Sequence, residues 1–271
     1  MQALMSDTAS RALSAIITGA STGIGADLAR VFARNGHPLV IVARNRQRLE
    51  ALADELLRDF GCHALVAVLD LEKAGAAGQL AEIVRQGGVE PGILVNNAGF
   101  GLLGEVRDQD AARLLAMIDL NMRALTDLTL TFLPGIIARR GAIMNVASTA
   151  SWFPGPGMAV YYASKAYVRS FTTALAFELA PQGVRVSALC PGPTQSEFFD
   201  RAGAARNGFA GMVLMPSMKV AQAGYAGLMA GKRVIVPGFA NKLVTSFAPF
   251  APDGVLMRVI GKIQISRAAK S

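Results

Sequence analysis

Residues 14 to 36 read SAIITGASTGIGADLARVFARNG. Ser14 to Thr18 is a short apolar run that Gly19 stops. From Ile24 to Asn35 apolar residues return at helical spacing, and Gly36 suits the C-terminal cap of that helix. Between the two lie Gly19, Gly23 and Gly25. Glycine turns tightly and brings backbone close to a ligand with no Cβ in the way. The helix that follows aims unpaired N–H groups and its dipole at the loop, an arrangement that suits a pyrophosphate. The spacing is GxxxGxG, not GxGxxG, so a plain glycine-rich loop is the alternative. The strand before and the helix after are the context that a dinucleotide loop demands.

Working outward, strand and helix alternate. Strands are expected in PLVIVA (38–43), ALVAVLD (64–70), GILVNNAG (92–99), AIMNVAS (142–148), VRVSALC (184–190) and RVIVPG (233–238). Helices are expected from Arg46 to Asp59, in the Ala-rich stretch after the third strand, from Asp108 to Phe132 with Pro134 as the stop, and from Val160 to Leu179. Several strands are unbroken apolar runs, the mark of strands covered on both faces. The expected fold is α/β: a Rossmann-type, doubly wound, seven-stranded and mostly parallel sheet with helices on both faces. No linker divides the 271 residues, so a single domain is expected over 1–271.

Apolar residues make up 52% of the chain and charged ones 17%, which excludes a disordered chain. The net charge of +8 favours anionic partners, but no basic stripe interleaved with aromatics points to nucleic acid. Cys62 and Cys190 stand far apart without metal-ligand spacing, so no metal is expected. The N-terminus lacks a secretory pattern, and no apolar run reaches the ~18 residues of a spanning helix. The expectation is a cytoplasmic protein.

In NAD-binding doubly wound folds an acid at the end of the second strand holds the adenosine ribose. Here the strand ends VARNRQR: Ala43, then Arg44, with Arg46 and Arg48 behind. A guanidinium there would pair with a 2′-phosphate, so NADP(H) is expected over NAD(H). The plainer alternative is that these arginines only decorate an exposed helix start.

TGASTGIG at 18–25, NNAG at 96–99, YYASK at 161–165 and PG at 191–192 occur in order on the expected elements. With these motifs the chain resembles the short-chain dehydrogenase/reductase family, and in its VIVPG…NK end an NADP-preferring bacterial branch with an extended C-terminus. The resemblance implies an oxidoreductase that transfers hydride between nicotinamide and a carbonyl or hydroxyl carbon. It implies Ser148, Tyr161, Lys165 and Asn121 as catalytic residues. Ser148 would bond the substrate oxygen, and Asn121 would hold a water that feeds a proton relay. Cofactor contacts are implied at Gly19, Ser21, Thr22, Gly23, Ile24, Gly25 and Arg44, at Asp70 and Leu71, and at Asn96, Asn97, Ala98 and Gly99. The same holds for Tyr161, Lys165, Pro191, Gly192 and Thr194. The resemblance also implies a homodimer or homotetramer.

Spacing separates the two adjacent tyrosines. Residues i and i+4 share a helix face, so Tyr161 pairs with Lys165 while Tyr162 turns ~100° away. A free phenol titrates near ~10. A neighbouring ammonium is expected to lower it, and Lys165 also has donors for a ribose.

The substrate side is expected in two segments. One is residues 148–158, with Trp152 and Phe153. The other is a lid over 194–230, with Phe198, Phe199, Phe209, Met212, Leu214 and Met215. Their apolar character points to a small apolar carbonyl or alcohol substrate of some bulk, unless these aromatics are simply core. The extension 239–271 mixes apolar residues with Arg258 and Lys262. It is expected to cover apolar surface of its own subunit or a neighbour, with an anionic membrane surface as the alternative. Two rivals stand beside the oxidoreductase: an NADP-binding regulator without turnover, and an epimerase or dehydratase on the same scaffold.

Overall fold

The computed structural model describes residues 12–198, 214–250, 254, 257, 258, 260 and 261. The elements in order are β1 (Ser14–Thr18), α1 (Gly23–Arg34), β2 (Leu39–Ala43), α2 (Arg46–Phe60), β3 (Ala64–Val68), α3 (Ala76–Gln86) and β4 (Pro91–Asn96). Then come α4 (Ala111–Ile118), α5 (Leu125–Ala138), β5 (Ala142–Val146), α6 (Ala159–Glu178) and β6 (Arg185–Leu189). The short strands β7 (Thr194–Gln195) and β8 (Met215–Pro216) precede α7 (Ser217–Met229), β9 (Val234–Ile235) and α8 (Phe239–Phe247).

The main sheet has seven strands in the order β3-β2-β1-β4-β5-β6-β9, every pairing parallel. Successive strand residues point to opposite faces, so the unbroken apolar runs feed two cores at once. Ile17, Ile41, Val95 and Met144 pack on the side of α1 and α2. Ile16, Val40, Leu94 and Ile143 pack on the side of α3, α5 and α6. Each such fully buried side chain contributes roughly 1.5–3 kcal/mol relative to exposure. Local signals agree with the ends: the Asn45 side chain accepts from the Arg48 N–H at 2.9 Å to cap α2, and Gly61 closes it at φ 64°.

Two expectations about the long helix are corrected. It does not run unbroken from Asp108, because the Asp110 carboxylate caps a fresh start at Ala111, accepting from the Ala112 N–H at 2.9 Å. Nor does Pro134 stop it; α5 continues to Ala138 with Pro134 inside. A helical proline leaves the carbonyl four residues earlier without its N–H partner. Here that residue is Leu130, which is exposed. Between α4 and α5, Asp119–Ala124 is wound as π-helix. The strands β7 and β8 pair in a separate two-stranded ladder that alternation alone does not reveal. Phe199, Phe209 and Met212 of the expected lid lie outside the described residues, as do residues 1–11.

Candidate active site

The chain turns from β1 to β2 on one side of the sheet and from β4 to β5 on the other. The crevice beyond the C-terminal ends of β1 and β4 is therefore the topological switch point, where doubly wound sheets take ligands. Thr18 and Asn97 stitch it together. The Thr18 hydroxyl accepts from the N–H groups of Asn97 and Ala98, each at 3.0 Å. The Asn97 amide donates to the carbonyls of Thr18 at 2.9 Å and Gly19 at 3.2 Å. Thr18 was not among the residues expected here, since a strand-end threonine carries no signal of such a role.

The glycine loop is shaped as its spacing implied. Gly19 and Gly23 sit at φ 65° and 55°, left-handed conformations that favour glycine. A Cβ on Gly25 would lie 2.2 Å from the Gly19 carbonyl oxygen and 2.4 Å from Asn97 Nδ2. Thr22 heads α1 in extended conformation and its side chain makes no capping bond. The first-turn N–H groups thus have no side-chain cap, and the loop is an anion cradle that fits a pyrophosphate.

The loop forms one end of a cavity of about 950 Å³. Ser21, Thr22, Ile24, Arg44, Asp70, Leu71, Ala98 and Gly99 line it, with Pro191, Gly192 and Thr194 from the far side. Ser148, Tyr161 and Lys165 line the same cavity. Asn96 does not. It is buried beneath the crevice, donating to Asn145 Oδ1 at 2.9 Å and Thr129 at 3.0 Å, because neighbouring strand residues face opposite ways. Of the NNAG pair only Asn97 faces the cavity.

Tyr161 and Lys165 project from α6 one turn apart, both buried. The Lys165 ammonium lies 5.9 Å from the Tyr161 ring centroid and donates to the Val146 carbonyl at 2.8 Å. Burial pulls its pKa down to about 8. The Tyr161 phenol is pushed well above its ordinary value, first by burial; the Ser148 hydroxyl opposes this and the Tyr162 phenol adds to it. Lys165, committed to the Val146 carbonyl, is not among the groups that shift this phenol; burial disfavours the phenolate. Ser148 lies two residues beyond β5 at the head of a 3-10 turn and accepts from the Ala150 N–H at 3.1 Å.

Asn121 is buried in the π-helical segment and does not line the cavity. Its carboxamide accepts from the Phe100 N–H at 3.1 Å and donates to the Phe100 carbonyl at 2.9 Å and the Ser164 hydroxyl at 3.0 Å. The side chain thus ties the Phe100 backbone to Ser164 on α6. Ser164, whose hydroxyl donates to the Tyr161 carbonyl at 2.7 Å, was missed by sequence reading.

The arginines of VARNRQR separate. Arg44 lines the cavity and pairs with Glu72 at 3.0 Å. Arg46 pairs with Glu50 at 3.3 Å and Arg48 with Glu197 at 2.8 Å. Opposite the phosphate end the wall is apolar. Phe198 packs on the Tyr161 ring with centroids 5.2 Å apart, and Phe153, Met158 and Tyr162 line the cavity beside it. Among the described residues no cluster of His, Cys, Asp and Glu could hold a metal, and no helix is long and apolar enough to cross a membrane. Both cysteines are buried and free.

The family model for short chain dehydrogenases matches residues 14–207. The chain belongs to the short-chain dehydrogenase family. Sulfoacetaldehyde reductase 2 of Chromohalobacter salexigens is 38% identical over 186 residues, 68% of this chain and 73% of that protein. A solved short-chain dehydrogenase from Sphingobium yanoikuyae in complex with NADPH is 34% identical, with TM-score 0.79 over 88% of this chain and 93% of that one. The bulky-bulky ketone specific alcohol dehydrogenase from Comamonas testosteroni is 30% identical, with TM-score 0.74 over 89% and 94%. The chain is thus an oxidoreductase of this family.

Proposed function

We propose that this short-chain dehydrogenase reduces an apolar ketone or aldehyde with NADPH, Tyr161 acting as the acid. The observation that carries the reading is that Ser148, Tyr161 and Lys165 share one cavity with the uncapped glycine loop. The nicotinamide, when bound, supplies the hydride to the carbonyl carbon. Tyr161 gives its proton to the carbonyl oxygen as the alcohol forms, and Ser148 donates a hydrogen bond to that oxygen. The Tyr161 phenol, raised by burial, carries its proton at neutral pH and so can serve as the donor. Lys165 offers its remaining donors toward the cavity for a ribose hydroxyl.

Arg44 supports NADP(H) over NAD(H), and the NADPH in the Sphingobium relative agrees. Phosphate binding needs the Arg44–Glu72 pair to open. That pair is largely exposed on the arginine side, and such pairs are worth only about 0–1 kcal/mol. The apolar wall of Phe153, Met158, Tyr162 and Phe198 supports a bulky substrate, as does the ketone-specific relative. The long α4–α5 and α6 region leaves Leu115, Leu130 and Phe177 exposed, which supports self-association through it.

The test is NADPH absorbance over a panel of aldehydes and of small and bulky ketones. Wild type should consume NADPH with members of the bulky set. Tyr161→Phe should lose about 10²-fold or more in turnover while still binding NADPH. Near-normal turnover by Tyr161→Phe would overturn the assignment, and cofactor binding without net consumption would favour the regulator or the epimerase.

A further inference from the structure

The family match ends at residue 207, yet the cavity has wall residues beyond it: Val244 on α8 and Ile260 in the helical turn that follows. α8 has two faces. Phe239, Leu243 and Phe247 point outward, while Asn241, Thr245 and Ala248 turn inward. The inward face is fixed at the cofactor end. A Cβ on Gly192 would lie 2.4 Å from Asn241 Oδ1, so Asn241 rests directly on the backbone of the PG motif. Its amide donates to the Pro237 carbonyl at 2.8 Å, and the Thr245 hydroxyl donates to the Asn241 carbonyl at 2.9 Å. Val244 is carried between these anchors to the cavity rim, where it is half exposed.

Ile260 has its own anchor. Its neighbour Gly261 is buried, and a Cβ there would lie 3.5 Å from Pro156 Cβ. Pro156 belongs to the loop that leads into α6 and Tyr161. The segment is therefore held at both ends of the site, at Gly192 and at Pro156, and presents two branched apolar side chains to the cavity between them. The phosphate end of that cavity is walled by polar groups such as Arg44, Asp70 and Glu197. Apolar wall belongs beside the group that must be buried, away from the phosphates.

We infer that the C-terminal segment, through Val244 and Ile260, is the wall that sets how bulky an apolar group this site accepts. The inference rests on the proposed reduction of apolar carbonyls in the same cavity. It gives the extension a role inside the site of its own subunit, in place of a membrane contact. Residues of this kind act through volume. One methylene in an apolar pocket changes selectivity by roughly 10–200-fold, and an indole in place of isopropyl fills far more.

The test uses the full chain with NADPH and two probes, a small methyl ketone and a ketone with aromatic groups on both sides. Both binding, by calorimetry, and kcat/KM are measured. Val244→Trp and Ile260→Trp should lower the bulky-to-small ratio of affinity and of kcat/KM by about tenfold or more, with NADPH affinity unchanged. Phe239→Ser, on the outward face of α8, should leave the ratio as in wild type. An unchanged ratio in both tryptophan variants overturns the inference, as does an equal shift in Phe239→Ser or failure of wild type to bind either ketone. Binding of the bulky ketone that the tryptophans abolish, without NADPH consumption, would keep the wall and sink the reductase reading. Turnover with an unmoved ratio would do the reverse.

Discussion

The Lys165 ammonium donates to the main-chain carbonyl of Val146 at 2.8 Å, at the buried end of β5. The lysine is thereby tied to the sheet, with its ammonium 5.9 Å from the Tyr161 ring centroid. Holding that charge out of water opposes folding. Unfolded it titrates at 10.5, folded at about 8, so while protonated it penalises the native state by about 3 kcal/mol. Between those two values the unfolded chain binds more protons, and stability rises with pH across that window. Lys165→Met should abolish turnover yet fold more stably at pH 7 by about 1–2 kcal/mol, the orphaned Val146 carbonyl offsetting the remainder. That advantage should shrink as pH rises from 8 to 10. Urea denaturation of both proteins at several pH values reads the difference; a gap independent of pH would contradict the burial cost.

Arg44 and Glu72 make a second prediction. On the proposed NADPH reading, a 2′-phosphate would compete with the Glu72 carboxylate, which holds the guanidinium at 3.0 Å. Arg44→Ala should weaken NADPH by about tenfold or more while moving NADH about twofold at most, as expected for loss of a charge-assisted pair. Glu72→Gln removes the competitor and should tighten NADPH relative to NADH. Fluorescence titration of both cofactors decides it. Equal effects on the two would return Arg44 to surface decoration.

How much of this was readable beforehand depends on the range of the signal. The glycine loop, the strand runs and the Tyr161–Lys165 spacing are local, and the parallel sheet follows from alternation and handed crossovers. What escaped is set by tertiary contact. Pro134 was read as a stop because the rule concerns an isolated helix, and α5 carries it at an exposed turn. Spacing gives the proximity of Lys165 to Tyr161, but not the Val146 carbonyl that the ammonium meets or the depth at which both side chains are buried. Asn96 and Asn97 look alike in sequence, and only strand register sends one beneath the crevice and the other into it. Val244 and Ile260 reach the cavity from far along the chain, and nothing local in VTSF or VIGK announces that.

Gly25 offers a test of the cradle. A methyl group there meets the Gly19 carbonyl oxygen at 2.2 Å and Asn97 Nδ2 at 2.4 Å, the first in the loop and the second held against it from the end of β4. Gly25→Ala must push α1 away from β4 and open the pyrophosphate seat. NADPH affinity should fall by tenfold or more, and stability by about 1–3 kcal/mol, the usual range for overpacking. Gly78→Ala in α3 is the control, since a Cβ there meets nothing within 4 Å. That variant should be neutral or slightly more stable, because alanine favours helix. Calorimetric NADPH binding that is the same in both variants would deny the loop its role.

Asn121 makes the last prediction, because its carboxamide is the link between the π-helical segment, the Phe100 backbone and α6. Asn121→Ala removes the partners of the Phe100 N–H and C=O together, and each buried group left unpaired costs about 1–3 kcal/mol. Ser164→Ala removes one link and leaves Phe100 held, so it should cost at most about 1.5 kcal/mol. The melting temperature should therefore fall several degrees further in Asn121→Ala, at roughly 2–4 °C per kcal/mol for a chain of this size. A positioning role also requires that kcat fall more than NADPH affinity, since the Gly99–Phe100 backbone borders the substrate side while the phosphates seat on the glycine loop. Asn121→Asp keeps an acceptor for the Phe100 N–H but no amide donor for its carbonyl or for Ser164, and should lie between wild type and alanine in both readouts. A melting loss in Asn121→Ala no larger than in Ser164→Ala, with kcat intact, would mean that the Phe100 backbone holds its place without this side chain.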